Sequence, residues 1–279
     1  MFAYHHPRLR RLPGPATQSK VICIMSNILD SFRLDNKIAL VTGSAGGMGQ
    51  AIAIALAEAG ASIATHDIKA PTNTVELVEA AGSKAAAFAA DLSDTAAPDA
   101  LFKEVLAKFG RVDILVNNAG IILREDAVNV PLADWLKVIQ INENAVFQLS
   151  QLAGRDMMSR KAPGKIINIA SLLSFQGGIR VPSYAAAKGA VAQITKALAN
   201  EWAVKEIQVN AIAPGYIATN NTAQLRADPE RSKAILDRIP AGRWGEATDV
   251  AGTAVFLASA AANYITGHVL VVDGGWMAR

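Results

Sequence analysis

Short apolar runs, each closed by a glycine or a polar residue, alternate along this chain with stretches in which apolar residues recur every three or four positions. Residues 37–41, 61–66, 85–90, 112–116, 165–169, 209–212 and 269–272 read as buried strands, because continuous β-branched and aliphatic runs suit a sheet covered on both faces. Between them, 50–60 carries Ile52, Leu56 and Ala59 at helical spacing, and 98–109 carries Leu101, Val105 and Phe109 before the stop at Gly110. Residues 74–81 form another helix, 135–158 a long helical pair, and the segment holding Tyr184 a helix onward to Val204. Strand–helix alternation of this kind predicts one α/β class, a doubly wound parallel sheet with right-handed crossovers and helices on both faces. Residues 218–238 are polar and helical in pattern, long enough to cover a site as a lid.

Chemistry gathers at the carboxyl ends of these strands, where ligands bind in such a sheet. Gly43, Asp67, Asp91, Asn118, Ser171 and the pair Pro214-Gly215 all fall there. The run from Thr42 through Gly43, Ser44, Gly46, Gly47 and Met48 to Gly49 sits between a strand and a helix. Glycines in that place let backbone N–H groups approach a pyrophosphate, whose charge the helix dipole favours. Asp67 lies 24 positions past Gly43, where this fold places a carboxylate on the adenosine ribose hydroxyls. A carboxylate there repels a 2′-phosphate, so NAD(H) is the expected cofactor, with Lys69 offsetting the repulsion in part.

Tyr184 and Lys188 stand one helical turn apart, thirteen positions and more beyond Ser171. A pair at this spacing is common on amphipathic helices, and its weight comes from its company. A cation beside a phenol favours the phenolate and lowers its pKa, as a general acid/base near neutrality requires.

The glycine run, the sequence Asn117-Asn118-Ala119-Gly120 at a strand end, and Ser171 with Tyr184 and Lys188 together resemble the short-chain dehydrogenase/reductase family. The resemblance covers residues 34–279 and implies one Rossmann-like domain without a separate substrate domain. It implies that Tyr184 donates the proton and Ser171 steadies the carbonyl oxygen. Lys188 would hold the nicotinamide ribose, and Asn142 would hold a relay water, with Asn144 as a neighbouring alternative. Asp91 with Leu92 would take the adenine, and Ile217 to Thr219 the carboxamide. The stretches 174–184, 218–222, 239–245 and 273–279 are similar to family members that act on sugar acids. They imply reversible reduction of the C5 ketone of 3-deoxy-D-glycero-2,5-hexodiulosonate in hexuronate breakdown. Another sugar acid, a 4-deoxy uronate, a polyol or a 3-oxoacyl substrate are the alternatives, and a non-catalytic NAD-binding regulator would have lost Ser171, Tyr184 or Lys188. For the substrate carboxylate Arg180 and Arg124 are the candidates; Gln176, Asn220 and Asn221 are candidates for hydroxyls. The family also implies a homotetramer, with the C-terminal tail packed against a neighbouring subunit.

Composition narrows this reading. At 279 residues and 51% hydrophobic content the chain can bury one large core, and 27 basic against 24 acidic side chains leave a net charge of +3. Much of that excess sits in residues 5–11, so the body is near neutral and no nucleic-acid surface is expected. A single cysteine, Cys23, excludes an internal disulfide and suits a reducing, cytoplasmic setting. The four histidines show no metal-ligand spacing, and no apolar run is long enough to span a membrane. Residues 1–24 lack periodic apolar positions and are expected to be a disordered, dispensable extension or a start upstream of Met25.

Overall fold

A computed structural model describes residues 27–279, and the expectation for residues 1–24 lies outside that range. Seven parallel strands form one sheet: β1 (Ile38–Thr42), β2 (Ser62–Asp67), β3 (Ala85–Ala89), β4 (Ile114–Asn117), β5 (Gly164–Ile169), β6 (Ile207–Pro214) and β7 (Val269–Val272). Their spatial order is β3-β2-β1-β4-β5-β6-β7, so the winding reverses between β1 and β4. That switch point is where a doubly wound sheet opens a crevice for ligands.

Period-two alternation divides each strand between two cores. In β1, Ala39 and Val41 face α1 (Gly47–Glu58), α2 (Thr72–Ala80) and α9 (Ala247–Ala258). Leu40 faces the opposite layer of α3 (Ala97–Phe109), α5 (Ala145–Ser159) and α6 (Pro182–Trp202). Ile52 and Leu56 on α1, and Leu149 and Met157 on α5, are fully buried against these faces. Each such side chain contributes about 1.5–3 kcal/mol by leaving water.

Helix ends follow local chemistry. Gly110 closes α3 in the left-handed conformation, φ 80°, and Pro182 opens α6, where its missing N–H costs nothing. The strand expected from residue 112 begins at Ile114 instead. Asp113 terminates the sheet there, accepting from the Ile38 N–H and pairing with Arg111 and Arg160. The periodicity gave no sign of α9, whose alanines, glycine and threonines make no wide apolar stripe, although Val250, Ala254 and Leu257 are buried against α1 and the sheet.

The long pair expected at 135–158 is α4 (Leu132–Ile139) and α5, joined without a break by one π turn, Gln140–Asn144. The segment at 218–238 resolves into a short 3₁₀ turn at Asn220–Thr222, α7 (Ala223–Ala227) and α8 (Pro229–Leu236). Leu225 of α7 and Arg231 and Ile235 of α8 line one cavity with Ser171 and Pro214, at the carboxyl ends of β5 and β6, where a lid would sit. No helix among the described residues is long and apolar enough to cross a membrane.

Candidate active site

Two adjoining cavities open at the carboxyl ends of the strands, and Met48, Thr219 and Asn221 line both. The first, about 600 Å³, runs along the glycine loop past Asp67 and Asp91 to Asn118 and Gly120. Gly43 turns the chain at φ +65°, and a Cβ there would stand 2.8 Å from the Ala119 Cα. At Gly49 a Cβ would lie 2.1 Å from the Gly43 carbonyl oxygen. Only bare backbone fits, so the N-terminus of α1 faces the cleft with its unpaired N–H groups. Asn118 locks the loop, donating from its amide to the Thr42 and Gly43 carbonyls at 2.9 and 2.8 Å.

A dinucleotide fits this cradle. The Asp67 carboxylate is fixed by N–H donors from Ala45 at 3.0 Å and from its own neighbour Ile68 at 2.8 Å. Asp91 accepts from the Ser93 N–H, which holds its carboxyl below the usual range. Leu92, Ala119 and Gly120 form the wall between them. Ser44 differs from its expected place in the cleft. It is fully buried, its hydroxyl accepting the His66 N–H at 3.0 Å, and it ties the loop to β2.

The second cavity, about 460 Å³, contains Ser171, Tyr184, Pro214, Gly215 and Ile217. Lys188 lies behind Tyr184, almost wholly buried, its ammonium donating to the Ile169 carbonyl and standing 5.6 Å from the phenol ring centroid. Burial lowers the Lys188 pKa to about 8. The expected lowering of the phenol is not met: burial pushes Tyr184 up, and the Ser171 hydrogen bond and the charge of Arg124 oppose it in part. In this chain the desolvation of the phenol outweighs the nearby cation. Asn142 occupies the π turn and is fully buried, its amide accepting from the Ile121 N–H and donating to the Ile121 carbonyl, both at 2.9 Å. Both polar ends of the side chain are engaged with Ile121, so Asn142 braces the end of the Asn118–Gly120 loop, and its amide keeps a second N–H and a second lone pair for a further partner. Asn144 points elsewhere, donating to Gln140.

The arginines sort differently from expectation. Arg180 is exposed, adopts φ +63°, and pairs with Asp126 at 2.9 Å and Glu125 at 3.8 Å, outside the cavity lining. It pins the loop after β4 to the loop before α6. Arg124 lines the cavity, donates to the Asn221 carbonyl of the lid at 3.0 Å, and acts electrostatically on Tyr184. Gln176 lines the same cavity, whereas Asn220 lines the dinucleotide cleft. Sequence reasoning missed Arg231 and Arg238, which α8 and the residues after it carry to the cavity, because a polar helix gives no sign of which cations turn inward.

The C-terminal tail begins against its own chain. Trp276 is buried within its own chain, its ring 4.6 Å from Tyr216 and 4.0 Å from the Arg238 guanidinium, so it forms a wall of its own substrate cavity.

Comparison with known proteins agrees with this architecture. A family model described as enoyl-(acyl carrier protein) reductase matches residues 43–277. The 2-dehydro-3-deoxy-D-gluconate 5-dehydrogenase of Dickeya dadantii is 56% identical over 252 residues, 90% of this chain and all of that one. The Bacillus subtilis protein of the same name is 54% identical over 258 residues, 91% of this chain and all of its own. A solved Agrobacterium tumefaciens structure, described as a 2-deoxy-D-gluconate 3-dehydrogenase with bound NADP, aligns with a TM-score of 0.83 at 53% identity. That alignment covers 89% of this chain and 99% of the other. Sequence, sheet order and site thus converge, and the chain belongs to the short-chain dehydrogenase/reductase family, as an oxidoreductase that works with a nicotinamide dinucleotide.

Proposed function

We propose that the protein reversibly reduces the C5 ketone of 3-deoxy-D-glycero-2,5-hexodiulosonate to 2-dehydro-3-deoxy-D-gluconate, with NADH as the reductant. One observation carries the substrate class. The cavity that opens on Tyr184 and Ser171 is lined by Arg124, Arg231 and Arg238 and, among the described residues, by no carboxylate. Such a lining favours an anionic substrate and disfavours a neutral one. Relatives 53–56% identical to this chain bear the name of an enzyme acting on this compound.

The residue roles follow from charge flow. A nicotinamide held in the cleft would supply the hydride to the ketone carbon. As the carbonyl oxygen gains charge, Tyr184 delivers a proton to it and the Ser171 hydroxyl donates a second hydrogen bond. Lys188, already seated on the Ile169 carbonyl, offers its remaining N–H groups to the cofactor ribose. Arg124, beside the phenol, takes the substrate carboxylate. Asp67 binds the adenosine ribose hydroxyls and repels a 2′-phosphate, which favours NAD(H) in this chain.

A panel tests the reading. With the hexodiulosonate, kcat/KM should be at least roughly tenfold higher for NADH than for NADPH, and higher than for acetoacetyl thioesters or 4-deoxy uronates. Arg124→Ala should raise KM for the acid with little change in dinucleotide affinity. A preference for NADPH removes the role given to Asp67; a thioester preference removes the sugar acid.

The same reading includes a homotetramer. Leu132 and Leu136 on α4 and Phe147 on α5 are exposed, and β7 is only half-buried along its length. Exposed apolar residues along neighbouring helices suit a subunit contact. Light scattering should return four chains; a monomer at micromolar concentration would refute the assembly.

A further inference from the structure

We infer that Arg226, on the lid, is a ligand of the cofactor pyrophosphate, so that the lid reads the charge of the dinucleotide directly. The inference rests on the dinucleotide reading of the cleft and adds a residue to it. Among the described residues, Arg226 is the only lysine or arginine lining that cleft, whose other charged groups are the carboxylates Asp67 and Asp91. Without it the two charges of a pyrophosphate would meet backbone N–H groups alone.

Its position agrees. The Arg226 Nη2 donates to the Thr219 carbonyl at 3.1 Å. Thr219 in turn stands over Gly47, where a Cβ would lie 3.4 Å from its Cγ2. Gly47 opens α1, the twelve-residue helix whose N–H groups point into the cleft. The guanidinium is thus held beside the anion-binding end of α1 by one hydrogen bond, with four N–H donors left over. It makes no ion pair among the described residues.

Neighbouring side chains on α7 face different cavities. Leu225 lines the substrate cavity and Arg226 the cofactor cleft. A phosphate that draws in Arg226 therefore seats Leu225 over the substrate, and α8 follows with Arg231.

Titration of ADP and of adenosine into the full chain separates this role from general damage, since only ADP carries the pyrophosphate. Arg226→Ala should weaken ADP binding roughly tenfold and leave adenosine binding unchanged within about twofold. Arg226→Lys should recover part of the loss, and the deficit should narrow as salt is raised. Unchanged ADP affinity in Arg226→Ala, or equal losses for ADP and adenosine, would overturn the inference. A wild-type chain that binds neither ligand overturns the dinucleotide reading itself.

Discussion

Replacing Tyr184 with phenylalanine should lower kcat by roughly three orders of magnitude while leaving dinucleotide affinity within about twofold. The substitution keeps the ring, which stacks near Lys188 and forms part of the cavity wall, and removes one oxygen. General acid catalysis by a positioned side chain is worth about 10²–10⁴ in rate, and Tyr184 lines the cavity with its hydroxyl hydrogen-bonded to Ser171. Single-turnover reduction with a saturating dinucleotide measures the chemical step, and fluorescence titration measures the affinity. A variant that keeps a tenth of the rate would move the acid to another group.

The same phenol sets a direction with pH. Burial holds its pKa above the ordinary tyrosine value, so at neutral pH the proton needed for ketone reduction is in place. Alcohol oxidation needs the phenolate, which forms only as pH rises toward that value. The oxidative rate should therefore climb through the alkaline range while reduction holds near neutrality. Lys188, at about 8, loses its charge over part of the same climb and ceases to assist the phenolate, which flattens the rise.

Gly49→Ala should abolish measurable dinucleotide binding and lower stability by about 1–3 kcal/mol. The added methyl group would meet the Gly43 carbonyl oxygen at 2.1 Å and the Asn118 amide nitrogen at 2.5 Å. Neither neighbour can retreat. Gly43 is turned at φ +65° against Ala119, and Asn118 is held by the Thr42 and Gly43 carbonyls. The loop itself must move, and with it the N–H groups that face the phosphates. Gly252→Ala on α9 is the control: nothing lies within 4 Å of its Cβ, and a helical alanine there should gain up to about 1 kcal/mol. Thermal melting with and without NADH reads both variants. Ligand-induced stabilisation that survives in Gly49→Ala would show that the loop tolerates a side chain.

The sheet was legible because its central strands β1, β4, β5 and β6 are buried on both faces and so carry mostly apolar runs, as buried parallel strands require. The glycine loop and the Tyr184–Lys188 pair were legible because fixed backbone geometry enforces their spacing. Where side chains act through long-range partners, sequence was silent. Arg180 sits four residues before Tyr184, yet its ion pairs with Glu125 and Asp126 turn it away. Arg231 and Arg238 are distant in sequence from Tyr184 and reach the cavity because Ile235 and Ile239 between and beyond them pack against Leu172 and Trp276. Ser44 reads as a loop hydroxyl but is drawn inward by the His66 backbone. The helix α9 stayed hidden for a different reason, since small residues bury well without marking a face.

The π turn at Gln140–Asn144 has a consequence for how this molecule can change. One extra residue in a helical turn advances the phase of everything beyond it by roughly 100°. That offset turns Asn142 inward onto Ile121, and it also sets the angle between Leu132 and Leu136 before the turn and Phe147 after it. Deleting a single residue there would regularise the helix and misalign both at once. The support beneath the Asn118–Gly120 loop and the outward apolar stripe therefore share one degree of freedom, and mutation at this point alters them together.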